Sequence, residues 1–307
     1  MLSTKKISVV IPVFNADACI GNLVQEVHTH LNNIQFSHEI ILVDDGSQDN
    51  SWEKIKKLKE KIPVITAFRL GKNFGQHKAT LCGLMAAEGE WVMTIDDDGE
   101  HAPRLLKDVL TRAMESDADL FYAIPSNRPK NRTRTFVSNV YRKISRLENP
   151  DAGKGSSWRV MKGDLIQELK HHQQHLFFLD EILLWYTNKV ATANFEFAPS
   201  RKTQSGYTYP KLMSLSRGVF MISTTMPLTF VKMIGFSVSV ISFLMGGYHL
   251  LHKIFFPTEK GYTSLILTIL FSTGLILFCL GIIGEYLANI LLLQNKKPAF
   301  HIRERIK

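Results

Sequence analysis

The chain has 307 residues, a formal net charge of +9 at neutral pH and 45% hydrophobic residues, enough length for one large domain or two smaller ones with a real core. Its three cysteines, Cys19, Cys82 and Cys279, lie far apart with no C-x-x-C pair, which excludes a thiolate zinc site and suits a reducing cytosol. A mean hydropathy of -0.02 looks like an ordinary soluble protein, but the apolar residues are concentrated near the C-terminal end.

The opening, "MLSTKKISVVIPV", carries an apolar run too short for a cleavable signal peptide, and none is expected. Ile7 to Val13 reads as a buried strand, followed by a helix over about Ala18 to Asn32. "EIILVDD", Glu39 to Asp45, is a second strand, and Asp49 or Ser51 can cap a helix running to Lys61. "VITAFRL" is a third strand, a helix covers about Gln76 to Glu88, and "EWVMTID" is a fourth strand. This alternation predicts an α/β fold with a mostly parallel sheet and flanking helices. Ligands gather at the carboxyl ends of such strands. The polar loops "PVFNAD", "DDGSQD", "GKNFGQ" and "DDDGEH" follow the four strands in turn, so they converge on one edge.

Asp44 and Asp45 precede a Gly-Ser turn, where carboxylates can accept hydrogen bonds from a base or ribose; a helix cap is the plainer alternative. Neither a G-x-G-x-x-G nor a P-loop is present, so the phosphate cradles of dinucleotide and ATP sites are missing. In "TIDDDGEH", Thr94 to His101, strand alternation lets Asp96 and Asp98 face one way while Asp97 points elsewhere. Two carboxylates on one side give a hard-oxygen site for Mg²⁺ or Mn²⁺, completed by diphosphate oxygens and water. Glu100 can supply a further oxygen; His101 is a weaker candidate.

Beyond this region, His171 and His175 in "HHQQH" have the i, i+4 spacing of a chelating pair or of a solvated helix face. Asp180 and Glu181 precede an apolar run. Met233 to Leu251 and Leu265 to Leu293 each reach the roughly 20 residues that cross a bilayer core, and the second contains a single charged residue, Glu285. Together they predict a transmembrane hairpin, over about 233–252 and 264–292, with Glu285 in a structural pairing role. The tail after it holds Lys296, Lys297, Arg303, Arg305 and Lys307 against Glu304, whereas the loop between the spans has only Lys253 and Lys260. The positive-inside rule then places both termini and the large N-terminal region in the cytoplasm, at the plasma (inner) membrane. A membrane protein beside anionic lipid accounts for the basic balance without nucleic acid.

The segments "VVIPVFNAD", "ILVDDGSQD", "FRLGKNFGQHKATLCGL" and "IDDDGEHAP", in that order, resemble family 2 glycosyltransferases of the GT-A fold. The branch they are most similar to is the polyprenyl-phosphate glycosyltransferases, of the dolichol-phosphate-mannose-synthase-like type. "PSRKTQSGYTYPKLMSLS" and "GIIGEYLANILLLQNKKPAFHI" resemble that branch's juxtamembrane segment and last membrane helix with its tail, so the likeness covers nearly the whole chain. It implies a catalytic domain over 1–198, a juxtamembrane amphipathic segment over 199–230, two membrane helices within 231–293 and a basic cytosolic tail over 294–307. Its implied reaction is inverting, metal-dependent transfer of a sugar from a nucleotide-sugar donor to a polyprenyl phosphate such as undecaprenyl phosphate. The product would serve cell-envelope glycan or lipid modification.

In that reading Pro12, Phe14, Asp44, Asp45, Ser47, Asn73, Gln76, Asp96 and Asp97 bind the donor, and Asp98, Glu100 and Asp96 bind the metal. Asp97 is a bystander to the metal itself. Arg128, Arg134, Arg159 and Arg201 join Asp96 and Asp98 as the catalytic set. Arg128, Arg134, Arg201, Ser205, Tyr207 and Lys211 hold the acceptor phosphate. Two departures stand out: Ala16 replaces the Glu of the family's P-x-Y-N-E, with Asp17 as a substitute, and Glu100 falls where a Gln is common. The rival readings are a glycosyltransferase acting on a saccharide hydroxyl and a non-catalytic, membrane-anchored nucleotide-sugar-binding scaffold. The sugar, the base, the acceptor length and a homo-oligomer are left open.

Overall fold

The computed structural model describes residues 6–34, 36–126, 155–170, 179–198, 261–294 and 298–307, together with Met233, Ser237, Ile241, Leu244, Tyr248 and Phe255. The chain divides into two compact units, Met1–Leu212 with Pro298–Lys307, and Met213–Lys297.

The first unit is built on eight strands: β1 Lys6–Val13, β2 Ser37–Asp44, β3 Ile65–Leu70, β4 Trp91–Thr94, β5 Leu120–Pro125, β6 Arg159–Lys162, β7 Val190–Phe195 and β8 Ile302–Ile306. Their order in the sheet is β7-β5-β6-β4-β1-β2-β3-β8. Strands β1 to β4 pair in parallel, whereas β6 runs antiparallel to β4 and β5, and β8 antiparallel to β3. All but the first residue of β1 are buried, as expected for a parallel strand covered on both faces.

Helices α1 Ile20–Asn33, α2 Ser51–Lys61 and α4 Leu106–Glu115 cover one face, and α3 Gln76–Ala86, α5 Gly163–Lys170 and α6 Leu179–Tyr186 the other. In α1 the buried residues are Ile20, Leu23, Val24, Val27 and Leu31, the i, i+3, i+4, i+7 stripe of an amphipathic helix. The chain runs outward through β1, β2 and β3, then crosses back to place β4 on the other side of β1. That reversal opens a crevice at the carboxyl ends of β1 and β4, where loops of open α/β sheets receive ligands.

The expected strands and helices over the first hundred residues are present, with one correction. Strand β4 ends at Thr94, so Asp96, Asp97 and Asp98 lie beyond it in a turn closed by Gly99 at φ +77°. Strand alternation therefore does not set their directions. Residues 302–306, part of the expected basic tail, form an edge strand of the sheet; alternating charge in "IRERI" hides an edge strand from a hydropathy reading.

The second unit contains α7, Tyr262–Gln294, 33 residues long. Counted on the described residues alone, no helix is long and apolar enough to cross a membrane. Counted on the sequence, which includes side chains outside that description, Leu265 to Leu293 holds one charge.

Candidate active site

The four strand-end loops hold one another by hydrogen bonds to their carboxylates. After β1, the Phe14 amide donates to Asp97 Oδ2 at 2.9 Å and the Asn15 amide to Ser47 Oγ at 3.0 Å. Asn15 adopts φ +47°, a conformation Asn tolerates better than most residues, and its Oδ1 accepts from the Gln48 amide. Ala16 is buried and donates its amide to Ser51 Oγ, while the next amide, of Asp17, reaches Asp49. The family's usual Glu at that position is thus replaced by a small side chain in the core. Pro12 lies within β1 beside Val43, and Phe14 stands half exposed at the crevice.

After β2, Asp44 is fully buried, with Oδ1 accepting from the Ser47 amide and Oδ2 3.5 Å from Arg69 Nε. Among the described residues Oδ2 has no hydrogen-bond donor, and burial raises the Asp44 pKa. Asp45 accepts the amides of Phe74 at 2.7 Å and Gly75 at 2.8 Å, clamping the loop after β3. Gly46 permits this approach: at φ +68°, a Cβ there would lie 2.6 Å from the Lys72 carbonyl carbon and 2.8 Å from the Asn73 nitrogen. Asn73 is thereby placed against the Asp44–Ser47 turn.

Burial pushes Asp45 up to about 6, outweighing the two amides that favour its charged form. A carboxyl raised in this way favours the folded state when protonated. Its contribution is therefore fully present below the unfolded value, about 3.9, and lost as pH rises through about 6. Wild type is expected to gain stability relative to Asp45→Asn as pH falls through that window and to show no further divergence above it. Urea unfolding of both proteins from pH 4 to pH 8 measures this, and a constant offset would contradict it.

After β4, the three aspartates diverge. Asp96 accepts from Gln76 Nε2 at 2.5 Å, and its carboxyl is raised by burial against the opposing hydrogen bond from Ser157 and the charge of Arg159. Asp97 takes the Phe14 amide, and its own carbonyl accepts from Cys19 Sγ, so its part here is to join two loops. Asp98 Oδ1 accepts the Glu100 amide at 2.9 Å. His101 is buried, accepts the Asp96 amide on Nδ1 at 2.9 Å and stacks on Trp158; that bond leaves the proton of a neutral ring on Nε2.

Beneath Asp96 lies a network centred on Arg159, one of the expected catalytic residues. Arg159 binds Asp180 through Nε at 2.6 Å and Nη2 at 2.8 Å, with Nη1 toward Thr94 Oγ1 and the Ser157 carbonyl. Tyr122 donates to Asp180 Oδ1 at 2.8 Å. Burial opposes both charges, but each partner outweighs it, holding Arg159 above and Asp180 below its usual pKa. His77, at the start of α3, is lowered by burial and by the nearby Arg159. Tyr122 carries no motif and only the sheet brings it here, whereas His77 lies in the quoted "FRLGKNFGQHKATLCGL" segment beside Gln76.

Asp44, Asp45, Ser47, Asn73, Gln76, Asp96, Asp97, Asp98 and Glu100 thus belong to one set of adjoining loops. Arg128, Arg134, His171, His175, Arg201, Ser205, Tyr207 and Lys211 lie outside the described residues, as does the Glu181 side chain. Among the described residues, no three His, Cys, Asp or Glu side chains converge closely enough to hold a metal. Hard-oxygen chemistry is still met by Asp98 and Glu100, since Mg²⁺ sites commonly use one or two carboxylates and take further ligands from substrate phosphates and water.

A sheet reversed between β1 and β4, with an acidic turn at that crevice and a second acidic loop beside it, is a GT-A-like arrangement. A family model described as "Glycosyl transferase family 2" matches residues 8–171, more than half of the chain, and the chain belongs to that family. A prophage bactoprenol glucosyl transferase homolog of Escherichia coli (strain K12) is 27% identical over 309 residues, covering 98% of this chain and 99% of its own. An undecaprenyl-phosphate 4-deoxy-4-formamido-L-arabinose transferase of Proteus mirabilis is 24% identical over 312 residues, covering 97% and 93%. Among solved structures, glucosyl-3-phosphoglycerate synthase from Mycobacterium tuberculosis, crystallised with Mn²⁺, UDP and glucosyl-3-phosphoglycerate, aligns with a TM-score of 0.51 and 18% identity. The alignment covers 71% of this chain and 78% of that one.

Proposed function

We propose that this glycosyltransferase moves a sugar, with inversion, from a nucleotide-sugar donor to a polyprenyl phosphate at the cytosolic face of a membrane. The observation that carries it is end-to-end similarity to two relatives whose names share a polyprenyl carrier, bactoprenol in one and undecaprenyl phosphate in the other, and differ in the sugar. The acceptor is therefore the better supported half of the reaction, and the proposed hexosyltransferase donor class follows the glucosyl relative alone.

In this reading Asp44 and Asp45 face the nucleoside, and the buried, otherwise orphaned Asp44 Oδ2 is an acceptor suited to a base or ribose donor. Asp98 and Glu100 would hold Mg²⁺ or Mn²⁺, which when bound neutralises charge on the leaving diphosphate. An acceptor phosphate oxygen forms the new bond to the anomeric carbon as that carbon's bond to the diphosphate breaks, and the electron pair leaves with nucleoside diphosphate. A phosphate monoester has its second pKa near 6, so it attacks as an anion and no side chain has to remove a proton. Arg128, Arg134, Arg201, Ser205, Tyr207 and Lys211 remain proposed contacts to its head group.

Membrane attachment rests on α7 and the apolar segment before it. At about 1.5 Å per residue, 33 helical residues exceed a hydrocarbon core of roughly 30 Å. Described side chains along α7 such as Phe271, 71% exposed, are large and apolar. Strand β8 bears on topology rather than on attachment. It follows α7 in the chain yet pairs with β3 of the catalytic sheet, so any membrane insertion of 213–297 starts and ends on one side and makes an even number of crossings. Two crossings, with the catalytic unit and both termini cytoplasmic, satisfy this.

Membranes carrying the protein, incubated with a panel of nucleotide sugars, Mn²⁺ and undecaprenyl phosphate, are expected to form a glycosyl monophosphate lipid and release nucleoside diphosphate. Transfer only to a saccharide hydroxyl would replace this reading, and no product from any donor would favour a binding scaffold.

A further inference from the structure

Strand β8 touches helix α2, strand β3 and the loop after β3, the elements that adjoin the paired carboxylates at the end of β2. The β3–β8 register sets Glu304 opposite Arg69. Glu304 Oε2 accepts from Trp52 Nε1 at 3.1 Å, on a Trp that is 2% exposed. The Arg69 guanidinium lies 5.8 Å from the centre of the same ring, and its Nε is 3.5 Å from Asp44 Oδ2. Glu304, Trp52 and Arg69 thus form a continuous path from the C-terminal strand to a buried carboxylate oxygen whose charge Arg69 offsets. Without a fixed Arg69 that oxygen would be a buried charge with neither donor nor counter-ion, a costly arrangement.

A second path runs through the backbone. The His301 carbonyl accepts the Gly71 amide at 2.9 Å, and a Cβ on Gly71 would meet His301 Nδ1 at 2.9 Å, so strand and loop are in direct contact. Gly71 opens the loop whose Phe74 and Gly75 amides bind Asp45. Ala299 and Phe300 pack against the apolar cluster that includes Phe68 and Leu70, and the Arg305 guanidinium covers Phe68 at 5.1 Å. These contacts fix the docking of the strand on its own chain.

We propose that the C-terminal strand is a positioning element of the donor site: Glu304 sets Asp44 through Trp52 and Arg69, and the His301 backbone sets the loop that holds Asp45. The inference rests on the reading of Asp44 and Asp45 as donor contacts. It makes completion of the site depend on residues that are synthesised after both apolar segments. A sheet and crevice formed from the first two hundred residues still lack this brace, so donor affinity becomes tied to the finished chain.

The test uses the full-length protein in nanodiscs and the variants Glu304→Ala, Glu304→Gln and Trp52→Phe. Calorimetry with Mn²⁺ and each of UDP, GDP, CDP and dTDP reads donor-site affinity, and hydrogen exchange reads the Phe74 and Gly75 amides. Wild type is expected to bind one of the four. Glu304→Ala and Trp52→Phe should weaken that binding about fivefold to tenfold, the size of one ordinary hydrogen bond. Both should speed exchange at those amides. Glu304→Gln keeps an acceptor oxygen and should stay within about twofold of wild type. Wild-type affinity in Glu304→Ala and Trp52→Phe, even with a lowered Tm, would make β8 a purely structural edge strand and overturn the inference alone. Failure of wild type to bind any of the four nucleotides would overturn the donor reading itself, and the inference with it.

Discussion

Asp98→Asn is expected to lower turnover by about a thousandfold, the upper range for removing one preorganised electrostatic contact to a transition state. The substitution is nearly isosteric, and the hydrogen bond from the Glu100 amide to Oδ1 can be kept by the Asn carbonyl. What is lost is charge. Asp98 is only half buried, in a turn whose path is set by Gly99 at φ +77° and by the amides bound to its neighbours, so the fold should hold and Tm should barely move. Asp97→Asn is the control: its Oδ2 bonds the Phe14 amide, a task an amide oxygen can also perform, so the loss should stay within about tenfold, worth about one hydrogen bond. Nucleoside diphosphate release in the undecaprenyl phosphate assay, at several Mn²⁺ concentrations, measures both. Full turnover in Asp98→Asn would remove it from the metal site and move the assignment to Glu100 or Asp96.

The sequence was most informative where local pattern and chain order coincide. β1 to β4 and the helices between them were legible because apolar runs of strand length alternate with helical stripes. The loops follow from that order, since a parallel sheet brings every second connection to one edge. The legibility ended with β4: "WVMTID" reads as one extended run, but pairing stops at Thr94, and Asp96 to Asp98 take directions set by Gln76 at the start of α3, Phe14 after β1 and Glu100 in their own turn. No period in the sequence encodes that. β8 was illegible for a different reason. An edge strand rich in charge resembles a solvated tail, and its partner β3 is more than two hundred residues earlier in the chain. Arg159 is the intermediate case. Its place beside the site was legible from the family resemblance, but its bidentate pairing with Asp180 depends on β6 and α6 meeting in space.

That pairing leads to the second large effect: Asp180→Ala is expected to destabilise the catalytic unit by about 3 kcal/mol, because it strands a buried guanidinium. The Arg159 side chain is 5% exposed and Asp180 27%, and the partial exposure of the carboxylate sets the expected loss at the lower end of the range for broken buried pairs. For a unit of this size the corresponding fall in Tm is about 6–12 °C. The double variant Arg159→Met with Asp180→Leu removes both charges and should recover most of that loss, since paired apolar replacements of buried ion pairs are often neutral or stabilising. Its turnover then separates two roles for Arg159. Four of the five N–H groups of a guanidinium are directed at Asp180, Thr94 and the Ser157 carbonyl, which leaves little of the fork for a phosphate. The double variant is therefore expected to keep its activity, as a residue that braces the floor beneath Asp96 would allow. A recovered Tm with lost turnover would instead make Arg159 a direct contact to the acceptor phosphate.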